Sequence, residues 1–327
     1  MGRHPEPLSP ELCEISELMR AQAADRGGVI TAAQCRPFGA DPAVIRRLLR
    51  SGRWRRARRG VYRDAWFLPC PLAGTAATHH TRCAGLVAAL GMGVAISHTS
   101  AARLLELPLP PDRPDEVVLT RRPPARTNRL GPGTRVHVLG FTDAEVHDLH
   151  GVPVLAGARL VLDCCTMLSS PDALAIADAA LHRDLVTPAG LCAELRRWPG
   201  RPGTRAAAVV FERADPRAEN SLESISRWWL AEAGLPRPVL QQRFTDEFGA
   251  IRARVDFWFP EQRIVGEADG ALKYTDPGAL YAEKRREDWL RDHHGVEVVR
   301  WVTAEMLSPQ GRAAVIDRFR RAAARRR

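Results

Sequence analysis

Two short runs near the C-terminal end constrain this chain more than anything else in it. Val255-Asp256-Phe257-Trp258-Phe259 is followed by Pro260-Glu261-Gln262-Arg263 and then by Ile264 to Asp269. The alternation predicts two strands, and the four residues between them predict a hairpin in which Phe259 pairs with Ile264. Val255, Phe257 and Phe259 then face one side, and Asp256 and Trp258 the other. The same register sets Asp256 opposite Glu267, with Asp269 two residues along on the face of Val265 and Glu267. Opposed Cβ atoms lie roughly 5 Å apart, so two carboxylates converge. Such a pair is unfavourable unless a cation sits between them or one keeps its proton. Mg2+, which takes oxygen ligands and leaves positions for phosphates, meets that demand. So does an arginine, and Arg254 on the face of Asp256 makes a structural ion network the alternative.

The flanking sequence extends the hairpin into a module. Ser221 to Ala233 predicts a helix with Leu222, Ile225, Trp229 and Leu230 inward and Glu223 near its first turn. Strands are predicted at Val239 to Phe244, Arg252 to Phe259 and Ile264 to Asp269, then a polar helix from Pro277 to His293 and a strand from Val296 to Val302. The order is αβββαβ. Ser221-Leu222-Glu223, Val255-Asp256-Phe257, Glu267-Ala268-Asp269-Gly270 and Val298-Val299-Arg300-Trp301 resemble, in order, the core of PD-(D/E)xK nucleases. The resemblance is nearest to the small endonuclease-like domain related to very-short-patch-repair enzymes. It implies a Mg2+-dependent endodeoxyribonuclease in which Asp256 and Glu267 hold the ion and Glu223 assists through water. One position departs from the pattern: where that motif carries lysine to act on the attacking water, this chain has Asp269. Lys273, a few residues on, and Lys284, on the following helix, are its only lysines and the candidates to restore the role. The alternative is a non-enzymatic repressor or antitoxin with an inactive nuclease fold.

The N-terminal end carries a different signal. Ser9-Pro10-Glu11 starts a helix with Leu12, Ile15 and Met19 on one face, and Thr31-Ala32-Ala33-Gln34 has capping-box spacing. Asp41-Pro42 opens a third helix in which Ile45, Leu48 and Leu49 form the buried stripe, while Arg46, Arg47, Arg50 and then Arg53 lie opposite. The next residues, Trp54 to Tyr62, read as a hairpin carrying Arg55, Arg56, Arg58 and Arg59. Three helices and a basic wing are the parts of a winged helix-turn-helix, which places its third helix in the major groove of double-stranded DNA. Gly28 through Tyr62 resembles the N-terminal domain of abortive-infection type IV antitoxins. That resemblance implies operator binding, repression of the protein's own operon and a toxin partner.

Between these ends, helices are predicted over Thr78 to Leu90, Ser97 to Leu107, Ala158 to Leu168, Pro171 to His182 and Pro188 to Arg197. Strands are predicted at Val117 to Arg121 and Arg135 to Gly140, and Gly200 to Arg217 reads as a connection. His79, His80 and His98 have no ligand-spaced partner and read as helix-face or cap residues. The whole is expected to be an α/β multidomain protein with three parts. These are a winged helix-turn-helix over 1–66, an α+β middle segment over 75–214, and a restriction-endonuclease-like αβββαβ core with a basic C-terminal helix over 215–327. Its 48 Lys+Arg against 38 Asp+Glu give a formal charge of +10, which suits a polyanionic partner. No run of about 18 apolar residues is present and no apolar signal core follows Met1, which argues against membrane spanning and export. Seven cysteines, an odd count without CxxC spacing, read as buried thiols in a reducing cytoplasm.

Overall fold

The computed structural model describes residues 8–66, 71–72, 74–125, 130–269 and 277–325. The chain divides into two compact units, 1–167 and 168–327. It is a mixed α/β protein with three separate sheets, and none of its described helices is long and apolar enough to cross a membrane.

The N-terminal unit begins with α1 (Pro10–Ala24), β1 (Val29–Thr31), α2 (Ala32–Cys35) and α3 (Pro42–Arg50), then β2 (Trp54–Arg58) and β3 (Val61–Asp64). The start signals act as the sequence predicts. Thr31 accepts the Gln34 N–H while Gln34 accepts the Thr31 N–H, closing a capping box on α2. Asp41 Oδ1 accepts the N–H groups of Ala43 and Val44 at the head of α3. β1, which the sequence did not announce, adds to the wing to make a three-stranded sheet of order β1-β3-β2. Leu12, Ile15, Met19, Ile30, Ile45 and Leu48 close over Trp54 and Tyr62 as one apolar cluster. The Trp54 indole N–H, buried in that cluster, donates to Ser16 Oγ at 2.8 Å, which ties the wing to α1.

The same unit continues through α4 (Gly74–Leu90), β4 (Val94–Ile96), α5 (His98–Leu104), β5 (Val117–Arg121), β6 (Thr134–Val138), β7 (Val146–Leu149), β8 (Val152–Leu155) and α6 (Gly157–Cys165). Its sheet has the order β6-β5-β4-β8-β7. Three of its strands, β4, β7 and β8, are too short to show a period of two over a useful window. The expected separation at residues 66 to 75 is absent from the packing, because α4 lies against β1, β2 and β3 as well as β8. Backbone also meets backbone there: a Cβ on Gly151 would lie 2.2 Å from the Gly27 nitrogen. His79, His80 and His98 are buried and hydrogen-bonded, His79 between Asp115 and Ser100, His80 to the Leu149 carbonyl and His98 to Ser97. Burial lowers His79 to about 4, so it is a neutral core residue.

The C-terminal unit comprises α7 (Ser170–His182), α8 (Pro188–Arg197), α9 (Thr204–Arg213), α10 (Ser221–Glu232), β9 (Val239–Thr245), β10 (Ile251–Phe259), β11 (Ile264–Asp269), α11 (Pro277–His294), β12 (Glu297–Val302), α12 (Thr303–Leu307) and α13 (Pro309–Ala324). Two expectations change here. Gly200 to Arg217 is not a plain connection but contains α9, whose Ala207 and Val210 are buried and which packs with α7 and α8. The expected 75–214 segment is therefore divided at Met167, its last three helices belonging with the C-terminal sheet.

That sheet runs β12-β11-β10-β9 and contains the predicted αβββαβ order from α10 to β12. β11 is buried at all six positions because it is central and covered on both faces. On one side Phe257, Phe259, Ile264 and Trp301 pack with Leu222, Leu230 and Phe319. On the other, Val265 and Val296 pack with Leu290 of α11. Val255 joins this second cluster rather than that of Phe257 and Phe259, contrary to strict alternation. Between its partner Gln242 and the Phe257 partner Leu240 lies Gln241, which has a left-handed φ of 53° and breaks the regular pleat. Trp301 repeats the arrangement of Trp54, its indole N–H donating to Ser226 Oγ at 2.8 Å.

Removing Ser16 Oγ leaves the Trp54 N–H without its partner in an apolar core. Ser16→Ala is expected to destabilise the N-terminal unit by about 1–3 kcal/mol, read as a lower urea midpoint by tryptophan fluorescence.

Candidate functional site

Helical period separates α3 into two faces. Ile45 and Leu48 are buried and Leu49 half-buried, so Arg46, Arg47 and Arg50 are exposed. In the wing, Arg55, Arg56 and Arg59 are exposed, with Gly60 taking φ 74° at the turn. Among the described residues these six arginines make no ion pair. Several are set against each other. Arg46 and Arg50 are four apart on one helix, and Arg55 pairs across the strands with Arg63, both arrangements that cost energy in isolation. Burial, and next the charge of Arg55, lower Arg63 below its ordinary value. An adjacent polyanion relieves this repulsion. Arg63, which the sequence reading passed over, thus belongs beside the wing set.

Arg53 and Arg58 have other work. Arg53 Nε lies 3.4 Å from the buried Asp64, which also binds Arg20 Nε at 2.8 Å. Arg58 donates to the Leu130 carbonyl at 3.1 Å. Both hold the wing rather than extend from it.

In the C-terminal unit the hairpin has the predicted register. Phe259, Trp258 and Phe257 pair with Ile264, Val265 and Gly266, and Asp256 and Glu267 are the next residues on their strands. There the Asp256 carboxylate accepts the Ala268 N–H at 2.9 Å. Glu223, capped into α10, accepts the Glu219 N–H at 2.9 Å and the Gln241 amide at 3.1 Å. Glu223, Glu267 and Asp269 are all buried. Burial, then the charge of Asp256, raise Glu223 to about 7. Burial raises Glu267 to about 8, opposed by Arg286 and reinforced by Asp256. Asp256 therefore acts on both Glu223 and Glu267, the second being the pair that the hairpin register implies.

The cations at this cluster are not the expected ones. Arg254 turns away to bind Glu219 through both of its terminal nitrogens, at 2.7 and 3.0 Å. Arg286 instead reaches Glu267 at 3.2 Å and the Arg254 carbonyl at 2.6 Å. Arg300 lies 3.4 Å from Asp269 and binds Glu283 and Glu287. Lys284 is exposed on α11, and Lys273 lies outside the described residues. A signal for Arg286 was present: with Leu290 buried, positions 283, 286 and 287 share its helix face, whereas 284 does not. Among the described residues no group of three or more His, Cys, Asp or Glu side chains has the arrangement of a metal site.

The helices and wing of the N-terminal unit have a counterpart among known families. Residues 17–63 match the family model described as "Transcriptional regulator, AbiEi antitoxin". The N-terminal part of this chain is thus an AbiEi antitoxin-type regulator domain, and the matched span runs from within α1 into β3. Two proteins of Mycobacterium tuberculosis are similar over a longer stretch, "Uncharacterized protein MT2308" of strain CDC 1551 / Oshkosh and "Uncharacterized protein Rv2248" of strain ATCC 25618 / H37Rv. Each is 29% identical over 199 residues, which is 59% of this chain and 73% of theirs. The crystal structure of RV2827C protein from Mycobacterium tuberculosis is 16% identical with a TM-score of 0.44, covering 76% of this chain and 93% of that one.

The raised carboxylates carry a pH signature. A glutamic acid that titrates near 8 when folded and near 4.5 when unfolded binds its proton more tightly in the folded state. Its stabilising contribution is full below the unfolded value and is lost as pH rises through the folded one. Stability of the C-terminal unit is expected to fall between pH 5 and 8, and Glu267→Gln to flatten that slope, in urea titrations across the range.

Proposed function

We propose that this protein is a double-stranded-DNA-binding transcriptional regulator of the AbiEi antitoxin type. Its reader inserts α3 into the major groove with Arg46, Arg47 and Arg50, while Arg55, Arg56 and Arg59 of the wing contact the phosphate backbone. The observation that carries this reading is the set of six exposed arginines, without an ion pair among the described residues, within the span that matches the regulator family. A toxin as protein partner and repression of its own operon belong to the same proposal.

For the C-terminal core we propose a nuclease-like fold that does not hydrolyse DNA. The donor atoms of Asp256 and Glu267 suit Mg2+, but the charge at Glu267 is already met by Arg286 at 3.2 Å. The residues present therefore fit a neutralised carboxylate cluster better than a metal centre, and Asp269, tied to Arg300, stands where a catalytic lysine would be needed.

Two measurements test this function. Replacing Arg55, Arg56 and Arg59 with alanine should weaken binding to every duplex and reduce the salt slope of log K by about one unit per lost phosphate contact. An unchanged slope would move DNA binding elsewhere in the chain. Incubation with supercoiled plasmid and Mg2+ or Mn2+ should leave the plasmid intact. Nicking that disappears in Asp256→Ala would instead establish the C-terminal core as an endonuclease.

A further inference from the structure

A cavity of about 420 Å³ lies within the N-terminal unit, where the regulator domain meets the five-stranded sheet. That volume is typical of small-molecule sites. One wall is a face of α4, on which Ala84, Val87 and Ala88 recur at helical spacing, with Gly91 just past its end. Ala84 is buried at one end of this stripe, and Val87 and Ala88, half-buried, line the cavity. Phe141 supplies an aromatic surface, and the Arg122 guanidinium lies 4.4 Å above its ring. Arg122 is fixed in place, its Nε donating to the Phe141 carbonyl at 3.0 Å and its terminal nitrogen to Asp143.

The polar groups on the lining favour an anion. The lining carries two arginines, Arg26 and Arg122, and one carboxylate, Asp143, which Arg122 binds. Gln34, on the regulator side, uses its Oε1 to accept from the Thr31 N–H and hydroxyl, each at 2.9 Å. Its Nε2 makes no hydrogen bond among the described residues. An apolar wall, an aromatic ring, two guanidiniums and an available amide donor together describe a receptor for a flat apolar body with an anionic head.

We propose that this cavity binds a small aromatic carboxylic acid as its anion and that occupancy tightens DNA binding by the regulator domain. The ring packs along the α4 face beside Phe141 and its covering Arg122, and the carboxylate is received by Arg26, Arg122 and the Gln34 amide. Coupling follows from the place of Gln34 in the chain. It closes the capping box at the head of α2, the first helix of the helix-turn-helix. A ligand that accepts from Nε2 holds the amide in the orientation whose Oε1 caps α2, so it binds the capped reader more tightly than the frayed one. By linkage, DNA must then tighten ligand binding by the same factor. The coupling rests on the DNA-binding reading; the ligand site does not.

Calorimetric titration of the full chain with 2-naphthoate tests the site. One equivalent should bind, and the neutral isostere 2-naphthalenemethanol should bind about tenfold more weakly, the factor expected for one charge-assisted hydrogen bond. Ala88→Trp, which fills the cavity, should abolish binding. Arg26→Ala, at an exposed position that leaves the fold intact, should weaken it about tenfold. No saturable binding, equal binding of the neutral compound, or binding indifferent to Arg26→Ala would overturn the site. The second arm measures duplex affinity by anisotropy with and without saturating 2-naphthoate. A roughly twofold to tenfold tightening is expected, with the same factor in the reverse titration, and an unchanged affinity would overturn the coupling. A chain that binds naphthoate but no duplex in either condition would refute the DNA reading and leave the ligand site standing.

Discussion

Charge matching between arginine and buried carboxylate organises this molecule. Asp64 binds Arg20 and Arg53, Asp163 binds Arg159, Asp178 binds Arg227, and Asp215 binds Arg217. Glu194, Glu267 and Asp269 bind Arg197, Arg286 and Arg300. Burying a carboxylate costs several kcal/mol unless a cation and hydrogen bonds compensate it, so the acids whose arginines lie on other elements, Asp64, Asp178, Glu267 and Asp269, tie those elements together. Glu223 is the exception, held by the Glu219 N–H and by the amides of Asn220 and Gln241. The chain has more cations than anions, with 48 Lys+Arg against 38 Asp+Glu, so pairing cannot consume them all. Where arginines remain exposed and, among the described residues, unpaired on one structured face, the surplus has a location, and in this protein α3 and the wing are such a place.

That distribution also explains what the two candidate sites have in common and where they differ. At the regulator domain, Asp64 takes Arg53 and Arg20 into the scaffold and leaves the neighbouring arginines projecting. At the C-terminal cluster the arginines turn inward. Arg286 is drawn onto Glu267, whose proton affinity burial and Asp256 raise, and Arg300 onto Asp269 and Glu283. The first arrangement offers positive charge to a partner; the second consumes it. A fold built to hold two carboxylates side by side can meet their repulsion with a divalent ion, with protons or with guanidinium groups, and in this chain Arg286 and Arg300 place guanidinium groups there.

The parts legible in the sequence are those governed by local rules. Helix starts at Ser9, Thr31 and Asp41 were readable because a side chain caps its own helix within three residues. The Phe259–Ile264 register followed from the length of a four-residue turn. What escaped depends on distant partners. The strands β4, β7 and β8 are short and acquire their role only by pairing across the sheet, and α9 sits in a Gly-, Pro- and Arg-rich stretch that packing makes helical. In the same way Arg53 and Arg58 look like their neighbours in sequence, and only Asp64 and the Leu130 carbonyl distinguish them. Of the cysteines expected to be buried, Cys35, Cys83, Cys164 and Cys165 are, while Cys13 and Cys192 are exposed and Cys70 lies outside the described residues.

The central claim is that α3 reads sequence, since phosphate contacts alone give affinity without preference. Selection of binding sites from a pool of random duplexes measures this directly. The full chain should enrich one defined sequence, and the variant with Arg46, Arg47 and Arg50 replaced by alanine should enrich none while the wing still retains weak duplex binding. Enrichment of the same sequence by that variant, or none by the unaltered chain, would contradict the account.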